Sequence, residues 1–521
     1  MAPVALPSTH FNPLPAAGVE FGYNAPIRDL ATLRLISAGK ASLVRASASW
    51  NATENPLTGE LALNPQLEEG LAECARLGLK PILVAAYGSP YSAVAKLTVT
   101  EDVPAGSLTI PCTGAPALQW PRHRVSIGKG LKLSQRASYS GTLVTAATSS
   151  SIEVASALIA PLTAGSILTL NLERYAPVNG TDPTQSSVQA YLRYVRFIAE
   201  RIAAHGLEGY ICLWNEPVWE FADWDALARA YDNQEALPPG VQRANGELTA
   251  ILAGALAMAP LPTGVHWING ATDKAGGFAC LFKQFPGVPN ASNASGVREG
   301  IHTYRDNPEG HAWNNEYQLV NPFFDATSAF HFVGGKDAKA GFDIAPMATE
   351  CGFSTTNDQQ QATYLLRRAL SHLAVGVVPV FFCADLNGGP YSVLKEDSTG
   401  KIITREGYLA LQRLSELLAS LGPNTTREAP SVVAVSGSPW PLMSCRFYGS
   451  LGATLFVWQM DWGTKTEAPW PTLSPPPAAS VKLKIPLHRS LSAVTVRNGA
   501  PLPVVQGIVP VSNDVVAVTV R

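Results

Sequence analysis

Charge is scarce in this chain. Asp, Glu, Lys and Arg make up 15% of its 521 residues, and the formal net charge is −2. The basic residues form no long run, so the sequence encodes no footprint for a phosphate backbone, and nucleic acid is not an expected partner. No uninterrupted apolar stretch reaches the roughly 20 residues of a membrane helix, so no membrane partner is expected either. The seven cysteines (Cys74, Cys112, Cys212, Cys280, Cys351, Cys383 and Cys445) are odd in number and never spaced as CxxC, which signals neither a disulfide framework nor a zinc site. The nine histidines show no HxH or HExxH pattern, so metal-dependent hydrolysis is disfavoured and no cofactor is expected. The proline-rich start lacks the basic region and apolar run of a secretory signal.

What is present is 46% hydrophobic residues with 43 Gly and 41 Pro, the composition of a compact, loop-rich protein too long for one ordinary core. Short apolar runs alternate with helical periodicity from residue 18 to about 422. Strands are predicted at Gly18–Tyr23, Ser42–Ala48, Pro81–Tyr87, Gly209–Trp214, Gly264–Asn269, Gly300–Tyr304, Ile344–Glu350 and Val378–Asp385. Helical stretches at Leu67–Leu77, Val188–Ala204, Gln242–Met258, Gln360–Ala374 and Gly407–Leu421 fall between or after them. Eight strands in this rhythm predict an α/β fold, a (β/α)8 TIM barrel built from 1–95 and 175–422.

The third unit breaks the rhythm with short alternating segments and Gly and Pro turns, which predicts an inserted β-rich module over 96–174. It holds a faint internal echo, Val103-Pro-Ala-Gly-Ser-Leu-Thr-Ile110 against Pro161-Leu-Thr-Ala-Gly-Ser-Ile-Leu168. Beyond 422 helical periodicity stops. Strands at Ser431–Val435, Ala453–Gln459, Ser480–Ile485, Ala493–Arg497 and Asp514–Val520 predict a C-terminal antiparallel β-sandwich over 423–521.

Two strands end in carboxylates. Gly209-Tyr-Ile-Cys-Leu-Trp-Asn-Glu-Pro217 is an apolar run cut off by Asn-Glu-Pro, and proline prevents simple continuation of the ladder. Ile344-Ala-Pro-Met-Ala-Thr-Glu-Cys-Gly352 ends in Thr-Glu-x-Gly. In a (β/α)8 barrel the C-terminal ends of strands form the catalytic face, so Glu216 and Glu350 are candidate catalytic carboxylates. Each could instead be a solvated or ion-paired strand-end residue. Cys351 adjoins Glu350, but strand alternation points it to the opposite face.

Trp214-Asn215-Glu216-Pro217 at the fourth strand resembles the signature of glycoside hydrolase clan A, which includes families 5, 30 and 39. The resemblance covers 18–422 apart from the insertion. It implies a retaining glycosidase with Glu216 as general acid/base, Asn215 bonded to the sugar's 2-hydroxyl, and Glu350, at the seventh strand, as nucleophile. Such chemistry needs one carboxyl protonated and the other ionised. Retention also calls for a separation of roughly 5–5.5 Å, against roughly 6.5–9.5 Å for inversion.

The same resemblance assigns Arg45 on the second strand to the nucleophile, and Tyr304 and His302 on the sixth strand to the site. Many clan members carry a tryptophan at the eighth strand. Here Val380-Phe-Phe-Cys-Ala-Asp385 offers Phe382 as the sugar platform, or none. Trp50, Trp219, Trp224 and Trp313 fall on predicted loops, where flat rings can stack on sugars or simply pack. The third-strand stretch Pro81-Ile-Leu-Val-Ala-Ala-Tyr-Gly-Ser-Pro90, with Tyr191–Ala204, looks most like family 39, with family 5 second.

The expected partner is an oligo- or polysaccharide. Such a substrate points outside the cell or to the periplasm, although the absence of a visible signal leaves the cytoplasm open. The competing reading is a non-catalytic carbohydrate-binding or surface protein on a glycosidase-like barrel. Retention of both carboxylates argues against it.

Overall fold

The computed structural model describes residues 20–55, 58–86, 92–114, 124–126, 142–173, 183–215, 260–268, 297–298, 300–304, 347–374, 377–382, 389–422, 425–428, 431–433, 435, 442–460, 481–484 and 491–520. The first third contributes β1 (Gly22–Asn24), α1 (Leu30–Ala38), β2 (Leu43–Ser49), the single turn α2 (Trp50–Thr53), α3 (Pro65–Leu77) and β3 (Lys80–Ala86). Six strands follow: β4 (Ser92–Val99), β5 (Thr109–Thr113), β6 (Arg124–Ser126), β7 (Thr142–Ala147), β8 (Ser151–Val154) and β9 (Ile167–Glu173). Next come α4 (Pro183–Ala204), β10 (Gly209–Leu213), β11 (Val265–Ile268), β12 (Val297–Arg298), β13 (Gly300–Tyr304) and β14 (Met347–Gly352). Then follow α5 (Asp358–Ala374), β15 (Val378–Phe382), β16 (Leu394–Glu396), β17 (Ile402–Thr404) and α6 (Glu406–Ala419). The remainder is all β: β18 (Thr426–Arg427), β19 (Ser431–Val433), β20 (Leu442–Gly449), β21 (Gly452–Gln459), β22 (Val481–Lys484), β23 (Leu491–Thr495), β24 (Pro501–Leu502), β25 (Ile508–Val511) and β26 (Val516–Val520). The expected helix at Gln242–Met258 lies outside the described residues.

The chain divides into two compact units, Met1–Ala46, Ala72–Pro81 and Arg298–Arg521 in one, Ser47–Leu71 and Ile82–Val297 in the other. In the first, parallel strands lie in the order β2-β1-β15-β14-β13. Helices make the return connections: α1 links β1 to β2 and α5 links β14 to β15, because parallel neighbours need a crossover rather than a hairpin. Asp29 starts α1 by accepting from the backbone N–H of Ala31 and Thr32 at 3.1 and 3.2 Å. Four of the five residues of β15 are buried, as are five of the six in β14, the burial expected of strands covered on both faces. The exception in β14 is Glu350.

The same unit carries the C-terminal strands. A seven-stranded antiparallel sheet, β18-β20-β21-β26-β23-β24 with β19 also on β20, shares a core with the β22–β25 ribbon. Leu483, Val509 and Val511 of the ribbon pack among Leu442, Leu455, Val457, Val516 and Val518. The sequence reading missed β20, which pairs along its length with β21 from Leu442↔Gln459 to Gly449↔Gly452. Its apolar Met443, Cys445 and Phe447 alternate with Ser444, Arg446 and Tyr448, the period-two pattern of a strand, so the signal was present in the sequence.

In the second unit β10 pairs in parallel with both β3 and β11. Strands β4 to β9 form a closed antiparallel barrel in the order β4-β5-β8-β7-β6-β9. Its first strand begins at Ser92, ahead of the expected start at 96. The two echoed segments turn out to face one another. Val103 and Leu162, equivalent positions in the echo, exchange backbone hydrogen bonds of 2.8 and 2.9 Å. Gly106 accepts the left-handed φ of 88° and Gly165 that of 86°, which side-chain-bearing residues rarely adopt. Gly165 N–H donates to Val99 O and Gly106 N–H donates to Leu158 O, both at 2.8 Å, so the repeat in sequence is a local two-fold in space.

Candidate active site

The first unit builds a charged cluster around Glu350. β14 carries a bulge between Ala348 and Cys351 relative to β15. On its other side β14 pairs His302 directly with Glu350. The Glu350 side chain is 12% exposed, and one oxygen, Oε1, accepts from Arg45 Nη1 at 2.5 Å. His302 Nδ1, fully buried, stands 3.5 Å from the other oxygen, Oε2. Arg45 is 6% exposed; a guanidinium so desolvated requires an anion, and Glu350 supplies it.

Asn24 completes the cluster and was missed by the sequence reading. It is the register partner of Arg45 across β1–β2. Its Oδ1 accepts from Arg45 Nη1 at 3.0 Å, and its Nδ2 donates to Thr349 O at 3.0 Å, so it ties the arginine to the backbone beside Glu350. The signal was available: Asn24 is a polar residue at the end of an apolar strand, the same feature that marked Glu216. Cys351 points into the protein, where burial pushes its thiol up to about 12 and its Sγ donates to Val380 O at 3.4 Å. A thiol so held stays protonated and is no nucleophile.

Phe382 ends β15 in register with Asn24, half-buried. Its ring centroid lies 5.7 Å from that of Tyr391, a further residue the sequence reading missed. Tyr304 pairs through its backbone with Gly352, and its side chain lies outside the described residues.

In the second unit Trp214 closes β10 with a φ of 68°, a left-handed conformation that is an outlier for so bulky a residue. Its N–H donates to Ala85 O at 3.2 Å, its carbonyl accepts from Cys212 Sγ at 3.3 Å, and its ring lies 5.3 Å from Tyr191. Strain of this kind costs about 1–3 kcal/mol and persists where the surroundings impose it, commonly beside functional residues. Asn215 follows at once, partly exposed. Glu216, Trp219, Trp224 and Trp313 lie outside the described residues.

Trp50 corrects an expectation. Rather than presenting its ring from a loop, it opens α2 with 1% exposure. Its Nε1 donates to Glu54 Oε2 at 2.6 Å, and its ring stacks 5.9 Å from Tyr194 and meets Tyr191 edge-on at 5.4 Å. The Glu54 side chain is itself fully buried and accepts from Arg193 Nη2 at 2.9 Å. Burial with a satisfied N–H is the state of a core indole, which leaves no face for a sugar.

Two solved structures resemble the chain over nearly its whole length. A family 39 glycoside hydrolase from the gut symbiont Bacteroides cellulosilyticus WH2 superposes with a TM-score of 0.55 at 15% identity, covering 97% of this chain and 81% of that one. A GH30 endoxylanase from Clostridium papyrosolvens C71 gives 0.50 at 12% identity, with 99% of each chain covered. This chain has the fold of those glycoside hydrolases. Families 39 and 30 both lie in clan A, the grouping that the Trp-Asn-Glu-Pro motif resembles. No family model and no curated protein sequence matches the chain, so the likeness resides in tertiary structure. Among the described residues no group of His, Cys, Asp and Glu is arranged to hold a metal, and no helix is long and apolar enough to cross a membrane.

Proposed function

We propose that the chain is a retaining glycoside hydrolase acting on an oligo- or polysaccharide, with Glu350 as nucleophile and Glu216 as acid/base. The observation that carries this reading is the Glu350 carboxylate, held at a strand's end between Arg45 and His302 yet still in reach of solvent. Arg45 lies against the carboxylate and fixes one oxygen, which orients the group for attack.

In the first step a Glu350 oxygen bonds to the anomeric carbon as the glycosidic C–O bond breaks, and the Glu216 proton passes to the departing oxygen. In the second, Glu216 takes a proton from water, the water oxygen bonds to the anomeric carbon, and Glu350 leaves. Asn215, next to Glu216, serves the sugar's 2-hydroxyl, and Tyr304 and His302 serve Glu350 and the substrate. The large barrel comprises 1–91 and 174–422, with the module at 92–173 inserted in it and a β-sandwich at 423–521 appended.

The test is a screen of polysaccharides and aryl glycosides, followed by Glu350→Gln and Glu216→Gln variants on any substrate turned over. Each variant is expected to lose about 10²–10⁴-fold in kcat. Azide is expected to restore turnover to a Glu350→Ala variant with the opposite anomeric product. An inverted product from the wild type sinks the retaining mechanism, and unaltered turnover in either Gln variant sinks its role.

A further inference from the structure

Tyr191, buried on α4, meets the end of β10 in two ways. Its hydroxyl donates to Ala85 O at 2.6 Å, and the same carbonyl accepts the N–H of Trp214 at 3.2 Å. Its ring lies against the Trp214 indole, with centroids 5.3 Å apart and planes at 55°. Ala85 is the register partner of Leu213, so this shared carbonyl stands where the pairing of β3 with β10 ends.

Trp214 leaves that pairing with a φ of 68°, which turns the chain out of the strand direction and which a bulky residue adopts only where its surroundings impose it. Its N–H is held by Ala85 O, its carbonyl by Cys212 Sγ and its ring by Tyr191. Tyr191 is braced in turn. Trp50 meets it edge-on at 5.4 Å and Tyr194 lies 5.8 Å away, while Trp50 and Tyr194 stack on one another at 5.9 Å. The Tyr194 hydroxyl donates to Ala48 O, and the Trp50 indole N–H donates to the buried Glu54 carboxylate, which also accepts from Arg193. The brace therefore runs from β2 through α2 and α4 to the end of β10. Filling space alone would be served as well by an extended Trp214 at lower backbone cost. The left-handed turn is kept, and the residue it redirects is Asn215, assigned above to the sugar's 2-hydroxyl.

We infer that Tyr191 is a positioning residue for sugar recognition: by holding Trp214 in its left-handed turn it aims Asn215 at the 2-hydroxyl, and so sets the preference for 2-hydroxy over 2-deoxy glycosides. This rests on the glycosidase reading above. Tyr191 is buried and acts only through Trp214. A hydrogen bond to the 2-hydroxyl strengthens in the transition state, so its misalignment lowers kcat/KM for substrates that carry the hydroxyl and spares those that lack it.

The experiment uses the full-length protein and matched pairs of 4-nitrophenyl glycopyranosides, one member with the 2-hydroxyl and one 2-deoxy. The 2-deoxy-2-fluoro glycosides serve as labels of Glu350 read by mass spectrometry. The quantity measured is the ratio of kcat/KM between the members of a pair. Tyr191→Phe removes the hydroxyl and keeps the ring, and Tyr191→Leu removes both. Tyr191→Leu is expected to lower the ratio about tenfold and Tyr191→Phe about threefold, with kcat/KM on the 2-deoxy member within about threefold of wild type. Asn215→Ala is expected to lower the ratio at least as far. Should Tyr191→Leu fail to fold, Tyr191→Phe decides. A wild-type ratio in the folded Tyr191 variants overturns the inference, as does an equal loss on both members of the pair, which marks a purely structural role. A wild-type ratio in Asn215→Ala overturns it as well, by removing the contact it acts on. In each of these cases labelling of Glu350 keeps the glycosidase reading intact. No turnover and no labelled Glu350 in the wild type overturns both.

Discussion

Arg45 and Glu350 show what a single pair decides. Both are nearly dry, at 6% and 12% exposure, and 305 residues of chain separate them. Breaking a buried pair on one side strands a charge, which typically costs about 3–5 kcal/mol, whereas removing both charges costs much less. Arg45→Met is therefore expected to lower unfolding free energy by about that amount and to abolish most turnover. The double variant Arg45→Met/Glu350→Gln should recover most of the stability and none of the activity. Chemical denaturation of the four proteins measures this, and additive losses would show that the two groups do not depend on each other.

At the scale of elements, α5 links the site to the rest of its unit. From this one helix Gln361 secures the Tyr391 segment, Arg368 donates from Nη1 to Gly352 O, and Thr363 donates to Asp514 Oδ1 at 2.5 Å. His372, one turn past Arg368, shares a 2.7 Å hydrogen bond through Nδ1 with Arg368 O. Burial pulls its pKa down to about 3, with the Arg368 charge acting in the same direction. The folded protein therefore refuses a proton that the unfolded chain accepts near 6.5. Stability from this group is complete above about pH 6.5 and is lost as pH falls from there toward 3. Between pH 6.5 and 5, above the usual carboxylate range, wild-type stability should fall toward a limiting slope of about 1.4 kcal/mol per unit, and His372→Asn should flatten the curve. Parallel pH curves for the two proteins would rule this out.

For the molecule as a whole, the barrel of β4 to β9 has the marks of a self-sufficient module. Its ends enter and leave on paired strands, from Ser92↔Glu173 to Thr98↔Ile167. Its core, with Leu97, Ile110, Cys112, Val144, Ile152, Leu168 and Leu170, is closed upon itself. A segment of residues 90–175 expressed alone is expected to melt cooperatively, and replacing 92–173 by a short linker should leave the remaining chain folded. Circular dichroism on both proteins checks this; a segment without a melting transition would show that the module leans on its host.

The sequence by itself determined the local pattern. Apolar runs ending in polar residues marked β10 and β14 and singled out Glu350, Asn215 and, outside the described residues, Glu216. Alternation and turn glycines marked the inserted and C-terminal strands, because side-chain periodicity follows directly from backbone geometry. Only the tertiary structure decided which of those side chains meet. It took Trp50 into the core, tied Asn24 to Arg45 and to the backbone beside a carboxylate more than 300 residues away, and set Tyr391 beside Phe382, whereas the contact of Arg45 with Glu350 had been implied by the family resemblance. Neither exposure nor long-range pairing is encoded in a window of neighbouring residues: both follow from how strands order themselves in a sheet and from which side chains then compete for the same space.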